Sequence, residues 1–350
     1  MPALTTELIT QCLLCGAHGE TLFQGLHDRL YSVEGEFGFA RCAACGLVWQ
    51  SPRPVLADIP KCYPADYEPH EGATEGDEVV RPAAGMRDAI RGMILSEVFG
   101  YTRFKRPEWW APVTGRALGL VPTLQDRARY GRDELCPPFI DGGTLLDVGC
   151  GAGGYLSAMQ ALGWKVLGVD LSPQAARIAH ESYGVQVKVG TLETAGVPDR
   201  SMTMVTMVHA IEHVPDPISQ LRQCHRVLQT GGRLVLTTPN YSGLMSRLFA
   251  DHWMALDPPR HLWLFTPDTL RACVERSGFR VERVLTRPFL AHMNYEKSLC
   301  IRRQGHARGH VRPGGAGPIV HGLHWLERGM LPFWRGAGNE LMLRAVKQEE

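Results

Sequence analysis

Between Gly143 and Thr286 short apolar runs alternate with segments of helical period, each punctuated by glycine, proline or an acid. Leu145-Leu146-Asp147-Val148 is a buried-strand run that breaks into Gly149, Gly151, Gly153 and Gly154 before Tyr155-Leu156-Ser157-Ala158-Met159. Lys165 to Asp170 repeats the pattern, with Ser172 as a helix cap, Pro173 at the first helical position and Gly184 just past the end. Val185 to Val189 and Met202 to His209 predict a third and a fourth strand. Asp216-Pro217 opens a helix whose Ile218, Leu221, Val227 and Leu228 fall roughly on one face, and Thr230-Gly231-Gly232 stops it. Arg233 to Thr237 predicts a fifth strand. Thr266-Pro267 caps a further helix, which Gly278 ends before a strand from Phe279 to Thr286, and Glu340 to Val346 reads as a final strand. Strands and helices alternating in this way predict an α/β fold built on a doubly wound sheet.

Outside this stretch the pattern is looser. Pro69 to Gly85 is acidic and Gly- and Pro-containing, which predicts a linker. From Met86 to Tyr101, Ile90, Met93, Ile94 and Val98 recur at helical spacing with Arg87 and Arg91 on other faces, and Trp109-Trp110 comes next. This segment reads as a lid over a substrate pocket, as a peripheral membrane contact, or as a helix packed on the core. Pro288 to Asn339 is an insertion before the last strand. Its first half is basic and Gly-rich (Arg302, Arg303, Arg308, Arg312) and its second half, Ile319 to Trp334, is apolar; the charge run predicts a solvated loop, or, beside the carboxyl end of the sheet, a segment that helps shape an apolar acceptor site. The expected division is a module over 1–68, a linker and helical lid over 69–135, and the main domain over 136–350 with its insertion at about 288–339.

A chain of 350 residues with 44% hydrophobic content can bury one large core and carry a smaller module. Its net charge of +1 argues against a dominant nucleic-acid surface. No signal peptide is visible and no apolar run approaches the roughly 18 residues of a membrane span, so a cytoplasmic protein is expected. Oligomeric state is not legible. Four of the ten cysteines stand as Cys12-x-x-Cys15-Gly16 and Cys42-x-x-Cys45-Gly46. Two such knuckles complete a closed tetrahedral zinc site, a structural staple for a module too small to bury much apolar area. A pair of redox dithiols is the competing reading; such motifs normally accompany a βαβ pattern.

The glycine loop allows two cofactors. Gly149, Gly151 and Gly154 satisfy G-x-G-x-x-G, with Asp170 where a dinucleotide's ribose-binding acid falls. Asp147-x-Gly149-x-Gly151-x-Gly153 is equally an acid-x-G-x-G-x-G loop. Residues beyond the loop decide between them: Gly168-Val169-Asp170, Ile211-Glu212-His213-Val214-Pro215-Asp216-Pro217, Gly231-Gly232-Arg233-Leu234 and Thr238-Pro239-Asn240. With these pieces the chain resembles a class I S-adenosylmethionine (SAM)-dependent methyltransferase. With its Cys-x-x-Cys head, Pro259-Arg260-His261-Leu262 and Phe265-Thr266-Pro267 it resembles, more narrowly, bacterial zinc-ribbon methyltransferases, and its His209, Glu212, His213 and His261 are similar to the metal site of ubiquinone-pathway O-methyltransferases. The resemblance implies a seven-stranded Rossmann-like methyltransferase sheet behind a small N-terminal zinc ribbon. One departure is Met202-Thr203, where the family usually has Phe-Asp.

The resemblance further implies that Asp147 and the backbone of Gly149, Gly151 and Gly153 hold the methionine end of SAM. Asp170 would accept the ribose hydroxyls, Leu171 would pack on the adenine, Leu192 or Glu193 would edge it, and His209 joins the cofactor set. His209-Ala210-Ile211-Glu212-His213 comes directly after the fourth strand, where the acceptor is expected. His209, Glu212, His213 and His261 could form a second, divalent-metal site; one histidine, His213 first, could be a general base beside Glu212 and His209; or Glu212-His213 could be a structural turn. The expected function is methyl transfer from SAM to a small-molecule or lipid- or sugar-linked acceptor, at oxygen. A zinc-ribbon RNA methyltransferase, a nicotinamide oxidoreductase and a non-catalytic SAM-binding module are the rivals. Asp257-Pro258-Pro259-Arg260 looks superficially like a base-gripping Asp-Pro-Pro-Tyr motif, but lies after strand five and lacks the aromatic.

Overall fold

The computed structural model describes residues 4–64, 67, 85–121, 124–125, 128, 137–308 and 317–348. The expected linker therefore lies outside the described residues except for Gly85, as does Arg312. The N-terminal part holds β1 (Thr6–Glu7), β2 (Gly19–Leu26), β3 (Phe37–Cys42), β4 (Val48–Gln50) and β5 (Arg53–Pro54). Helices α1 (Met86–Phe99) and α2 (Ala111–Gly119) come next. Then come β6 (Thr144–Val148), α3 (Gly154–Ala161), β7 (Lys165–Asp170), α4 (Pro173–Tyr183), β8 (Val187–Val189), β9 (Met202–Val208) and α5 (Pro217–Val227). The chain continues with β10 (Leu228–Pro239), α6 (Leu244–Phe249), β11 (Trp263–Leu264), α7 (Pro267–Glu275) and β12 (Phe279–Arg287). It ends with α8 (Ala291–Gln304), α9 (Pro318–Met330) and β13 (Glu340–Lys347). Among the described residues no helix is long and apolar enough to cross a membrane.

The main sheet has seven strands in the order β12-β13-β10-β9-β6-β7-β8. β6 runs parallel to both β7 and β9, β7 parallel to β8, and β12 antiparallel to β13. The predicted strands and caps recur: the Ser172 side chain accepts from the Ala175 N–H, and Thr266 and Thr269 close a reciprocal capping box on α7. The fifth strand is longer than the pattern suggested. It starts at Leu228 directly after α5 and runs through the Gly231-Gly232 turn signal.

By compactness the chain divides into two units, Met1–Tyr67 with Met207–His225 and Leu236–Glu350, and Glu68–Thr206 with Arg226–Val235. In the first, a second sheet runs β11-β4-β3-β2, so the cysteine-bearing hairpin takes its outer strand from Trp263–Leu264, far along the chain. Leu26, Phe39 and Val48 of that sheet bury against Phe249 of α6, Ala291 and Tyr295 of α8, and Val320 of α9. This overturns the solvated loop expected for the first half of the insertion. Residues 291–304 form a helix that buries Ala291, Tyr295, Ser298 and Ile301, while Arg302 and Arg303 occupy its last turn, where they favour the negative end of the helix dipole.

The second unit carries β6, β7, β8, the glycine loop and the α1–α2 hairpin. The Met202-Thr203 departure is absorbed here by a hydroxyl pair. The Thr144 N–H donates to Thr203 Oγ1 at 3.2 Å, the Thr203 N–H to Thr144 Oγ1 at 3.1 Å, and Thr144 Oγ1 to the Ser201 carbonyl at 3.0 Å. The start of β9 is thus tied to β6 without an acid.

Candidate functional site

The cofactor loop is built by backbone that few residues other than glycine adopt. After β6 the chain turns through Gly149, Gly151 and Gly153, all at positive φ (76°, 52° and 82°). A Cβ on Gly153 would lie 2.9 Å from that of Ala179, so this glycine also lets α4 approach. The loop is fastened to the end of β7: the Gly149 N–H donates to the Val169 carbonyl at 2.8 Å and the Gly151 N–H to Asp170 Oδ2 at 2.8 Å. Asp170 Oδ1 accepts from the Ser172 N–H at 2.8 Å, which fixes the carboxylate at the head of α4.

Asp147 lies deeper, 2% exposed, and accepts from Thr206 Oγ1 at 2.6 Å. Burial raises its carboxyl to about 7 against the lowering effect of that hydroxyl. Leu171, next to Asp170, is 59% exposed. Of the two residues expected to edge the adenine, Leu192 is fully buried and Glu193 exposed.

The Glu-His cluster sits in the other unit, on the short helical turn Ile211–His213 and the loop before β11. Glu212 is fully buried, and neither carboxylate oxygen has an aligned hydrogen-bond donor among the described residues. Its ionic contact is His209 Nδ1 at 3.4 Å. One ligand atom each of Glu212, His213 and His261 lie within 4.8 Å of one another. His213 Nδ1 lies 3.1 Å from the Arg260 carbonyl and His261 Nδ1 2.7 Å from the Ala255 carbonyl. A carbonyl only accepts, so a hydrogen bond to either carbonyl is made by Nδ1–H, the tautomer that leaves the lone pair of a neutral ring on Nε2. Two imidazoles so fixed by backbone carbonyls, beside a bare carboxylate, form the outer-shell arrangement typical of metal-binding histidines.

His209 stands apart from the other three. At φ +50° its ring stacks on Phe289, centroids 5.4 Å apart, and its Nε2 pairs with Glu340 Oε1 at 2.6 Å. Both nitrogens therefore face carboxylates. Burial works against its charge, but Glu212 and Glu340 outweigh it and bring the imidazole up to about 10. Burial likewise opposes the Glu212 charge, and His209 outweighs it, bringing the carboxyl down to about 2. His213, half-buried and beside His261, is pushed down to about 3 by desolvation and the neighbouring imidazole. Of the four residues expected at a second metal site, three converge, and the fourth holds the carboxylate from behind.

Sequence reasoning missed Glu340 and Tyr63. The Tyr63 hydroxyl lies 3.2 Å from His213 Nδ1 and its ring packs edge-on against Tyr67. Its signal was Cys62-Tyr63-Pro64, just past the second knuckle; Glu340 gave none beyond opening the last strand. Also missed was the fastening of the His261 loop. The Arg260 guanidinium, 1% exposed, bonds Asp28 at 2.7 and 2.8 Å and Asp257 at 2.5 and 3.0 Å.

The four N-terminal cysteines meet as their spacing predicts. Cys12 and Cys45 Sγ lie 3.4 Å apart, Cys15 and Cys42 3.4 Å, Cys15 and Cys45 3.8 Å. Gly16 and Gly46, at φ +74° and +79°, let each knuckle fold back: their N–H groups donate to the Cys12 and Cys42 carbonyls at 2.8 and 3.0 Å. A tetrahedron of Zn–S bonds near 2.3 Å has edges of about 3.8 Å, so the sulfurs fit a zinc ion. Burial opposes the Cys42 thiolate, but the Cys45 N–H and neighbouring donors outweigh it, bringing the thiol down to about 6.

A family described as "Methyltransferase domain" matches residues 123–284. The ubiquinone biosynthesis O-methyltransferase of Dinoroseobacter shibae is 31% identical over 190 residues, 49% of this chain and 77% of that protein. The protein of the same name from Cereibacter sphaeroides is 29% identical over 191 residues, again 49% and 77%. A solved S-adenosylmethionine-dependent methyltransferase from Mesorhizobium loti is 20% identical, covers 60% of this chain and 93% of its own, and superposes with a TM-score of 0.40.

Proposed function

The chain belongs to the SAM-dependent methyltransferases, and from that premise we propose that it methylates a hydroxyl oxygen of a small-molecule or lipid- or sugar-linked acceptor with help from a divalent cation. The observation that carries the reading is the buried Glu212 carboxylate, with His209 Nδ1 3.4 Å from it, converging with two imidazoles whose Nδ1 atoms lie against backbone carbonyls. The relatives named ubiquinone biosynthesis O-methyltransferase support oxygen as the acceptor atom.

SAM brings an activated methyl on a sulfonium, so the protein must align the acceptor with the S–CH₃ bond and help the hydroxyl lose its proton. The hydroxyl gives its proton to solvent water; as its oxygen forms the bond to the methyl carbon, the S–C bond breaks, its electron pair returns to sulfur and S-adenosylhomocysteine leaves. In this reading the Gly149–Gly153 backbone and Asp147 receive the methionine end and Asp170 the ribose diol. Glu212 and the Nε2 atoms of His213 and His261 would hold the cation, which when bound supplies Lewis acidity that favours the ionised hydroxyl. His209, clamped between Glu212 and Glu340, keeps that carboxylate charged and aimed. Cys12, Cys15, Cys42 and Cys45 would hold one structural zinc. The 1–68 ribbon, 69–135 linker and lid, and 136–350 domain remain our proposed division, with the ribbon sheet closed by Trp263–Leu264.

The test is transfer of radiolabelled methyl from SAM to a catechol such as 3,4-dihydroxybenzoate, with and without added divalent ion. Ion-dependent transfer is expected, with calorimetric binding of SAM and none of NAD. Transfer to an RNA transcript instead, or ion-independent transfer to the catechol, overturns the proposal.

Single-residue changes test the cofactor site and the ribbon separately. Asp170 is held by two N–H donors at a strand end, and a carboxylate gripping a diol makes charge-assisted bonds. Asp170→Ala should therefore weaken SAM binding by roughly 10- to 150-fold, about 1.5–3 kcal/mol, read by calorimetry. An unchanged dissociation constant removes the residue from the cofactor site. For the ribbon, metal analysis should find about one zinc per chain, lost in the double variant Cys12→Ser, Cys42→Ser. Full zinc content in that variant would place the metal elsewhere.

A further inference from the structure

We propose that the outer face of α2 is a docking surface for an anionic lipid bilayer, on which the protein lies without spanning it. Helix α2 has two unlike sides. Ala111, Gly115 and Gly119, spaced four residues apart, form its buried face. A Cβ on Gly115 would lie 2.6 Å from the Met93 carbonyl oxygen and one on Gly119 2.3 Å from Val98 Cγ2, so the glycines seat α2 directly on α1. The opposite side is apolar and bare. Trp109 is 85% exposed, Val113 66% and Leu120 84%, with Trp110 at the N-cap also turned outward. Four residues separate Trp109 from Val113 and seven separate Val113 from Leu120, which at helical period makes one stripe, away from the glycines.

The rim of the stripe is cationic. Arg103, Lys105 and Arg106 precede it and Arg116 flanks it, against one acid, Glu108, in the same stretch. Arg103 donates to the Ala161 carbonyl and Arg116 pairs with Glu97 at 3.2 Å, so these two guanidiniums are held at the rim. Exposed tryptophans beside aliphatics, bordered by Lys and Arg, are the composition of helices that lie in the headgroup region with their apolar side among the acyl chains. Charge complementarity selects the occupant: a basic rim around an apolar stripe matches an anionic bilayer, whose attraction for each surface cation adds to apolar burial. Neither a lid closing on its own domain nor a second copy of the same basic surface is favoured by that rim.

The experiment is co-sedimentation of the full-length protein with vesicles of equal parts phosphatidylglycerol and phosphatidylcholine, and with phosphatidylcholine alone. Binding to the anionic vesicles is expected to exceed that to the neutral ones by at least tenfold, and to fall when salt rises from 50 to 500 mM. The combined variant Trp109→Ser, Val113→Ser, Leu120→Ser should lose at least tenfold in partitioning, and Lys105→Gln, Arg106→Gln several-fold. Both should keep the parent's SAM affinity, which shows that they fold. Equal partitioning of parent and triple variant overturns the proposal, as does absence of vesicle binding by the parent. So does a parent dimer that the triple variant converts to monomer, which assigns the face to a second copy. A triple variant that changes only the acceptor KM overturns it in favour of a lid.

Discussion

Replacing His213 with alanine is expected to lower turnover by roughly 10²–10⁴-fold while SAM affinity stays within a few-fold. The side chain offers one thing its neighbours do not replace, an imidazole nitrogen that converges with the buried Glu212 carboxylate and His261, its Nδ1 lying against the Arg260 carbonyl. Removing it leaves two ligands where three converge, and second-sphere groups such as Tyr63 cannot supply the third. Glu212→Gln should act with similar size, because the amide keeps the volume and loses the charge. His209→Ala should be milder, since it removes a group that aims the carboxylate and leaves all three convergent ligands.

Chelation separates a metal role from simple base chemistry. EDTA should abolish methyl transfer and an added divalent ion restore it in the parent enzyme. Zinc content measured alongside ensures that the ribbon metal has stayed in place. A His213→Ala enzyme with normal turnover would make Glu212-His213 a structural turn. A chelator-resistant parent that loses activity on His213→Ala would make His213 a base.

The parts of this molecule legible in the sequence are those whose signals are local. Strands β6, β7 and β9 announce themselves by apolar runs ending in Asp147, Asp170 and His209, and the caps at Ser172 and Thr266 lie within three residues of what they bond. The cysteine knuckles and the glycine loop are equally local, and both form as their spacing requires. What escaped depends on distant partners. β11 is two residues long and exists because Trp49 and Val48 pair with Trp263 and Leu264. Helix α8 escaped because Arg302, Arg303, His292 and Lys297 dilute its apolar side; its burial comes from the core it shares with Phe39 and Phe249. At the site, chain proximity grouped His209 with Glu212 and His213. The positive φ of His209 goes with a ring set between Glu340 and Glu212, so it contacts the carboxylate without joining the convergent three.

The same dependence on distant partners underlies the largest expected loss of stability, from Arg260→Leu. Arg260 is the buried cation between Asp28, on the segment after β2, and Asp257, three residues before it, and its guanidinium also lies 4.7 Å over the Tyr31 ring. Burial opposes the Asp28 charge, but the hydrogen bonds and charge of Arg260 outweigh it, holding the carboxyl below the usual range. A depressed carboxyl stabilises the fold above its unfolded pKa, and that contribution is lost as pH falls through the folded value.

Without the guanidinium, two buried carboxylates lose the cation they share, and Asp28 keeps only the backbone N–H groups of Leu30, Tyr31 and Val33. Removing one partner of a buried pair costs on the order of 3–5 kcal/mol, well beyond the apolar area leucine would add. Urea unfolding should therefore show a deficit of that size at pH 7.5, shrinking toward pH 5 as the stranded carboxyls take up protons. Arg260→Lys should recover only part of it, since an ammonium cannot bond both carboxylates through a planar fork. Because the Arg260 carbonyl also accepts from His213, the leucine variant should lose activity at urea concentrations where the parent is still fully active. A deficit below about 1 kcal/mol, or one independent of pH, would show that hydrophobic packing alone holds the His261 loop to the ribbon sheet.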